Sequence, residues 1–286
     1  FLSYKSALAD LERDIRFAHA NLRSAEDRAV LARDNVTASD ELLRTAKLLV
    51  EVGRDPPLRE LRAQAQLAEA KAEQARTFGE LLVARQLLAT LIGSADSEPT
   101  ATIMSEDAPP TLPPDTETLD VQLAFAERGA ALARVRLARA DAVPDITGSA
   151  GVRRFGEGRE TAFVAGISIP LPVRDRNRGN IDAAQSDSLA AESGLALARL
   201  DANRARYEAR MLLGAAEMRY EALAGPGIAQ AEEALRLARL GYNAGKFSLL
   251  ELLDAQTTLT QAKLNLIEAR LDRARALAAL IRANAQ

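Results

Sequence analysis

The chain has no cysteine and no tryptophan among its 286 residues, a single histidine, and aromatics at only 4%. Without cysteine there are no disulfides, no thiolate metal sites and no thiol nucleophile. The one histidine, His19, has no second imidazole or thiolate to complete a ligand set, so no metal or cofactor site is expected. No run of about 18 or more apolar residues occurs, which excludes a membrane-spanning helix but not a membrane-spanning strand. The 37 basic and 40 acidic side chains nearly balance, so there is no nucleic-acid footprint. The chain also lacks a glycine-rich phosphate loop after a strand and a nucleophile elbow, which makes an enzyme the poorest fit.

What is present is helix. Apolar residues reach 48%, much of it alanine and leucine among arginine and glutamate, a mixture suited to long helices in close contact. No proline or glycine precedes Gly53, and Leu8, Leu11, Ile15, Ala18, Leu22, Ala25 and Ala29 recur at spacings of three and four, predicting an amphipathic helix over 2–52. The opening FLSYKSALADLERD reads as the inside of a helix already under way, not as a signal peptide. Asp55-Pro56-Pro57 restarts the chain, with Asp55 as cap candidate, into a helix ending at Gly93. Residues 94–117 hold five of the eleven prolines and read as an irregular connector. A helix over Thr118–Ala142 follows.

The period then changes to two. Asp145–Phe155 and Thr161–Leu171 are expected strands about 11 residues long, joined by the polar turn Gly156–Glu160. Phe163, Ala165, Ile167 and Ile169 share one face of the second strand. That length suits a tilted barrel strand crossing a bilayer, though a hairpin in a soluble sheet has a similar pattern. The helical pattern resumes from Asn180 to Ala244, interrupted at Gly225-Pro226-Gly227, and again over Leu249–Ala283. In that last helix Leu252, Leu259, Leu266 and Leu280 recur by sevens beside Ala255, Ala262, Ala269, Ala276 and Ala283, the seam of a left-handed coiled coil.

The stretch Leu240–Lys263 organises the rest. It reads as a sharp turn between two long helices, with Ser248 and Glu251 at capping-box spacing. Subtracting 192 from each position lands on Leu48–Lys71. Gly245 then falls on Gly53, Leu253 on Leu61, Ala255-Gln256 on Ala63-Gln64, and Ala262-Lys263 on Ala70-Lys71. One repeat of that length, agreeing best at a turn, implies two copies of one helical hairpin.

A β-hairpin between two copies of a long helical hairpin closely resembles the outer-membrane efflux duct family of the TolC type. The residues that carry it are Tyr242-Asn-Ala-Gly245, Leu250-Glu-Leu-Leu-Asp-Ala255 and Thr257-Thr-Leu-Thr-Gln-Ala-Lys263 at the second tip. Val143-Pro-Asp-Ile146, Ile167-Ser-Ile-Pro-Leu-Pro172 and Asp175-Arg-Asn-Arg-Gly-Asn180 carry it at the hairpin, and these last look most like the heavy-metal cation efflux branch. The resemblance implies a mainly α fold. Residues 1–92 and 173–286 form the first and second periplasmic helical hairpins, 93–117 a linker, 118–142 a helix leading to the membrane, and 143–172 a hairpin of a trimeric outer-membrane β-barrel. The family supplies four strands per protomer, so the other pair is expected before Phe1.

The resemblance also implies a homotrimer in outer-membrane lipid, docked by its tips to a periplasmic adaptor and through it to an inner-membrane pump, expected to be of the RND type. By residue, it places a pore constriction at Glu251, Asp254 and Tyr242. It places adaptor contacts at Gly53, Arg54 and Asp55 and at Gly245, Lys246 and Phe247, where Phe247 departs from the basic latch residue common in the family. A drug or type I secretion duct is the alternative. A periplasmic adaptor or a coiled-coil scaffold fits less well, since the first needs β domains flanking one hairpin and the second leaves the strands unexplained.

Overall fold

The computed structural model describes residues 1–93, 117–154, 161–169 and 176–286. The expected linker 94–116, the turn Gly156–Glu160 with Phe155, and the stretch 170–175 lie outside these residues. Six α-helices and two strands follow one another: α1 (Leu2–Glu51), α2 (Pro57–Ile92), α3 (Leu119–Ala140), β1 (Thr147–Arg154), β2 (Thr161–Ser168), α4 (Arg178–Ala222), α5 (Ile228–Asn243) and α6 (Leu249–Ala283). The fold is mainly α, long packed helices plus one β-hairpin.

By packing, the chain forms two units: one gathers Ser3–Thr116 with Arg204–Gln286, and the other holds Glu117–Asn203. In the first, α1 and α2 meet through Ala18, Leu22, Ala25, Leu81 and Leu88. α6 runs antiparallel to α1, tied by Arg282–Asp10 at 2.7 Å, Arg270–Asp27 at 3.0 Å and Gln256–Asn35 at 3.4 Å. These part-buried hydrogen bonds contribute about 0.5–1.5 kcal/mol each. The close approach depends more on alanine: Ala46, Ala63 and Ala269 are fully buried, and a larger side chain there forces the helices apart.

The heptad seam of α6 is only partly what is buried. Leu252, Ala269 and Leu280 lie on it, but Ile267, Leu277 and Ala278 are equally buried off it. The reason is that α6 has several neighbours. α1 holds one side. The end of α4 packs Ala209 and Leu213 against Leu277 and Leu280, and α5 packs on the segment nearest the tip. A two-helix seam becomes a bundle position.

The interruption at Gly225-Pro226-Gly227 does not break the chain of helices. Leu223–Gly227 forms a π-helical turn that carries Pro226, a widened turn in which the missing proline amide is accommodated without ending the helix.

In the second unit α3 and α4 are antiparallel, paired by Arg128–Glu192 and Glu117–Arg199, each at 3.3 Å. Asn177 adopts a left-handed φ of 56°, a conformation asparagine tolerates better than most residues. Its side-chain amide donates to the Ala138 carbonyl at 2.9 Å, and Asn180 donates to Asn177 Oδ1 at 2.6 Å. The Asn-Arg-Gly-Asn motif therefore fixes the start of α4 against the end of α3. β1 and β2 pair antiparallel from Thr147↔Ser168 to Arg154↔Thr161. The strands are eight residues each; of the expected strand residues Asp145, Ile146 and Ile169 lie off the ladder, and Phe155, Pro170 and Leu171 lie outside the described residues. The ladder stops two residues before Pro170, which has no amide hydrogen to donate.

The two tips share one backbone design. Gly53 and Gly245 have φ of 73° and 70°. At the first tip Gly53 N donates to Val50 O, and Arg54 N and Asp55 N both donate to Leu49 O. At the second, Gly245 N donates to Tyr242 O, and Lys246 N and Phe247 N both donate to Gly241 O. Each bond maps onto its counterpart with the 192-residue offset, a Schellman-type helix end that needs glycine at the left-handed position. Space is not the constraint at Gly245, since a Cβ there meets nothing nearer than Arg54 Nη2 at 3.7 Å. Backbone strain is. Gly245→Val is expected to lower stability by about 1 kcal/mol or more and Gly245→Asn by less, which denaturant titration followed by helical circular dichroism checks.

Candidate functional site at the helical tips

The second tip is built from the end of α5, the turn 244–248 and the first turns of α6. Ser248 caps α6: its hydroxyl accepts from the Glu251 amide, and Glu251 accepts from the Ser248 amide at 2.5 Å. That bond, with the Ser248 hydroxyl, holds the Glu251 carboxyl below the usual glutamate range. Asp254 lies three residues on, so the two carboxylates sit about one turn apart on neighbouring exposed positions.

Tyr242 does not join them. It is buried in a cluster with Leu42, Leu235, Ala238, Leu249 and Leu252, and its ring end meets the first tip. Burial and the neighbouring Asp55 carboxylate raise its phenol pKa. Neither the Tyr242 hydroxyl nor Asp55 Oδ2, both buried, is in hydrogen-bonding geometry with a protein group.

Asp55 does not cap α2 as its position suggested. The N-cap is Pro56, and no side chain caps it, because the tandem prolines place Asp55 one residue too early and Pro57 has no amide to offer. Its carboxylate instead pairs with Arg59 one turn on, leaving the Asp55 side chain only 8% exposed, and this bond raises the Arg59 pKa. Arg54, Gly53, Gly245, Lys246 and Phe247 are exposed. Phe247 folds over Gly241, where a Cβ would come within 2.2 Å of its ring. Their counterparts at the first tip are Leu49 and Asp55, so the offset exchanges a leucine for a glycine and an acid for an aromatic.

The structure thus brings Tyr242 together with Asp55 and Arg59, and keeps Glu251 and Asp254 apart from them on α6. Arg59 is the member that motif reading passed over. Its signal was present as the i, i+4 spacing from Asp55. Farther along the bundle, a groove of about 380 Å³ is lined by Asn35, Glu73, Arg76, Gln256, Thr260 and Gln261. Within it Arg76 Nε donates to Glu73 at 2.8 Å. Among the described residues no group of three or more His, Asp or Glu is arranged to hold a metal ion, and no helix is long and apolar enough to cross a membrane.

Comparison with known proteins agrees with this architecture. The family model described as outer membrane efflux protein matches residues 116–286. The chain is 36% identical over 200 residues to the nickel-cobalt-cadmium resistance protein NccC of Alcaligenes xylosoxydans xylosoxydans, covering 68% of this chain and 46% of NccC. It is 30% identical over 272 residues to the cobalt-zinc-cadmium resistance protein CzcC of Cupriavidus metallidurans, covering 91% of this chain and 65% of CzcC. The chain therefore spans about half to two thirds of the length of these relatives. Among solved structures, CusC superposes with a TM-score of 0.87 at 20% identity, over 99% of this chain and 70% of that one, a likeness of fold. With its family match covering more than half its length, the chain belongs to the outer-membrane efflux protein family, whose members are transport proteins and not enzymes.

Proposed function

We propose that this chain is the duct-forming part of an outer-membrane efflux channel subunit that assembles as a homotrimer. The observation that carries the reading is the β-hairpin. Val152, Phe163 and Ile167 lie on one face at 62%, 90% and 79% exposure, and that face is apolar through Ala150 and Ala165. A lone two-stranded ribbon is at best marginally stable in water, so this one needs further strands at its edges and lipid on its apolar face. Hairpins from other copies meet the first need, and an outer membrane meets the second.

In this reading the paired helical hairpins form the periplasmic wall of the duct, with Glu251 and Asp254 at its mouth. The tips, Gly53 to Asp55 and Gly245 to Phe247, carry adaptor contacts. Leucines at matched positions, Leu48 with Leu240 and Leu58 with Leu250, are each more than half exposed and supply apolar area for such a partner. Through the adaptor the duct joins an inner-membrane pump of the RND type. The names of NccC and CzcC support divalent transition-metal cations as the cargo.

The full-length protein in detergent is expected to sediment as a trimer, and its loss to sensitise cells to cobalt, zinc or cadmium. A stable monomer sinks the duct reading. A trimer whose loss sensitises cells only to organic drugs keeps the duct and overturns the cargo.

A further inference from the structure

The 192-residue offset that superimposes the two tips reverses their charge. Glu251 falls on Arg59, and Asp254 falls on Arg62. These are structural equivalents, since α2 and α6 begin 192 residues apart, at Pro57 and Leu249, and the backbone bonds of the turns that lead into them match one for one. In a ring of three copies each contributing both hairpins, α2 and α6 alternate around the axis. A mouth that reads as carboxylates from α6 alone is then an alternation of arginines and carboxylates.

The two matched pairs differ in how they are satisfied within one chain. Arg59 is bound to Asp55, and Glu251 is bound to the Ser248 amide. Arg62 and Asp254 are exposed, and neither has an ion pair or hydrogen bond to any described residue. They are of opposite sign, at equivalent heights on equivalent helices. We propose that Arg62 of one copy pairs with Asp254 of the next, so that the mouth is closed by a ring of alternating charge between protomers. The occupant of this face is a second copy of the chain, selected by charge complementarity at repeat-related positions. The pairing rests on the trimeric duct reading.

These 286 residues hold no cysteine, so with any cysteine outside them replaced the test is direct. Arg62→Cys combined with Asp254→Cys in the full-length protein, treated in membranes with a short thiol-specific bifunctional reagent, is expected to give covalent dimers and trimers on denaturing gels. Either single variant stays monomeric. Arg62→Asp is expected to weaken closure of the mouth, read as increased ion leak in planar bilayers, and Arg62→Asp with Asp254→Arg to restore it. If the protein sediments as a trimer but the cysteine pair links only within one chain, or not at all, the pairing is overturned while the duct stands. If charge exchange fails to restore closure, the pairing is likewise overturned. If the protein sediments as a monomer, the duct reading fails and the pairing with it.

Discussion

Tyr242→Ala destabilises the tip region by about 3–5 kcal/mol, the range for removing a buried aromatic, while Tyr242→Phe leaves it unchanged or slightly more stable. The two variants separate the ring from the hydroxyl. The ring fills the cluster formed by Leu42 of α1, Leu235 and Ala238 of α5, and Leu249 and Leu252 of α6, so its loss opens a cavity where three helices meet. The hydroxyl is buried beside the Asp55 carboxylate, outside good hydrogen-bonding geometry with it, and removing a poorly satisfied polar group relieves part of a desolvation penalty of about 1–3 kcal/mol.

The same residue sets an alkaline limit. Its folded pKa lies above the ordinary value of 10.0, through burial first and Asp55 second. The neutral phenol is thus the form that folding favours, and its contribution is intact below pH 10. It is lost as pH rises, because the unfolded tyrosine ionises first and the folded one only at higher pH. The stability difference between wild type and Tyr242→Phe should therefore shift against wild type above pH 10, measured by denaturant titration at each pH. A phenylalanine variant as unstable as the alanine one gives the hydroxyl a partner that the single chain does not show.

The tips were legible in the sequence to different depths. Gly53 and Gly245 stood out because a helix reversal of this kind needs a left-handed residue, and the capping box of Ser248 and Glu251 is a purely local pattern. Both are set by residues within six positions of one another. The role of Asp55 was not legible: the cap rule reads one residue, whereas the tandem prolines move the helix start and release the carboxylate to Arg59. The burial of Tyr242 was not legible, for a longer-range reason. A motif records that a tyrosine is present, but its burial is decided by Leu42, more than 190 residues earlier in the chain. The seam of α6 was legible only in part, since heptad spacing describes one neighbour and α6 has three. The β-hairpin was found by its alternation, and Asp145, Ile146 and Ile169 fell off the ladder because a pattern of apolar residues does not mark where pairing stops.

The charge reversal between the repeats leads to the second large effect. Glu251→Gln with Asp254→Asn, in the full-length protein in a planar bilayer, should invert the ion preference of the mouth, not merely abolish it. In the wild type Arg59 is neutralised by Asp55, so Glu251 and Asp254 face Arg62 with an excess of negative charge and the mouth favours cations. Glu251 remains ionised at neutral pH, since the Ser248 amide holds its pKa low. With both carboxylates neutralised, Arg62 is the charge left on that ring, and the reversal potential in a salt gradient should change sign. Glu251→Gln alone should bring the preference close to zero, because glutamine still completes the capping box and Asp254 still balances Arg62. The effect is to be measured at low ionic strength, where the Debye length exceeds about 10 Å and the fixed charges are felt across the lumen. A fall to no preference in the double variant means that Arg62 does not face the lumen. Wild-type selectivity in the double variant means that Glu251 and Asp254 do not face it either, and that the capping box is the whole role of Glu251.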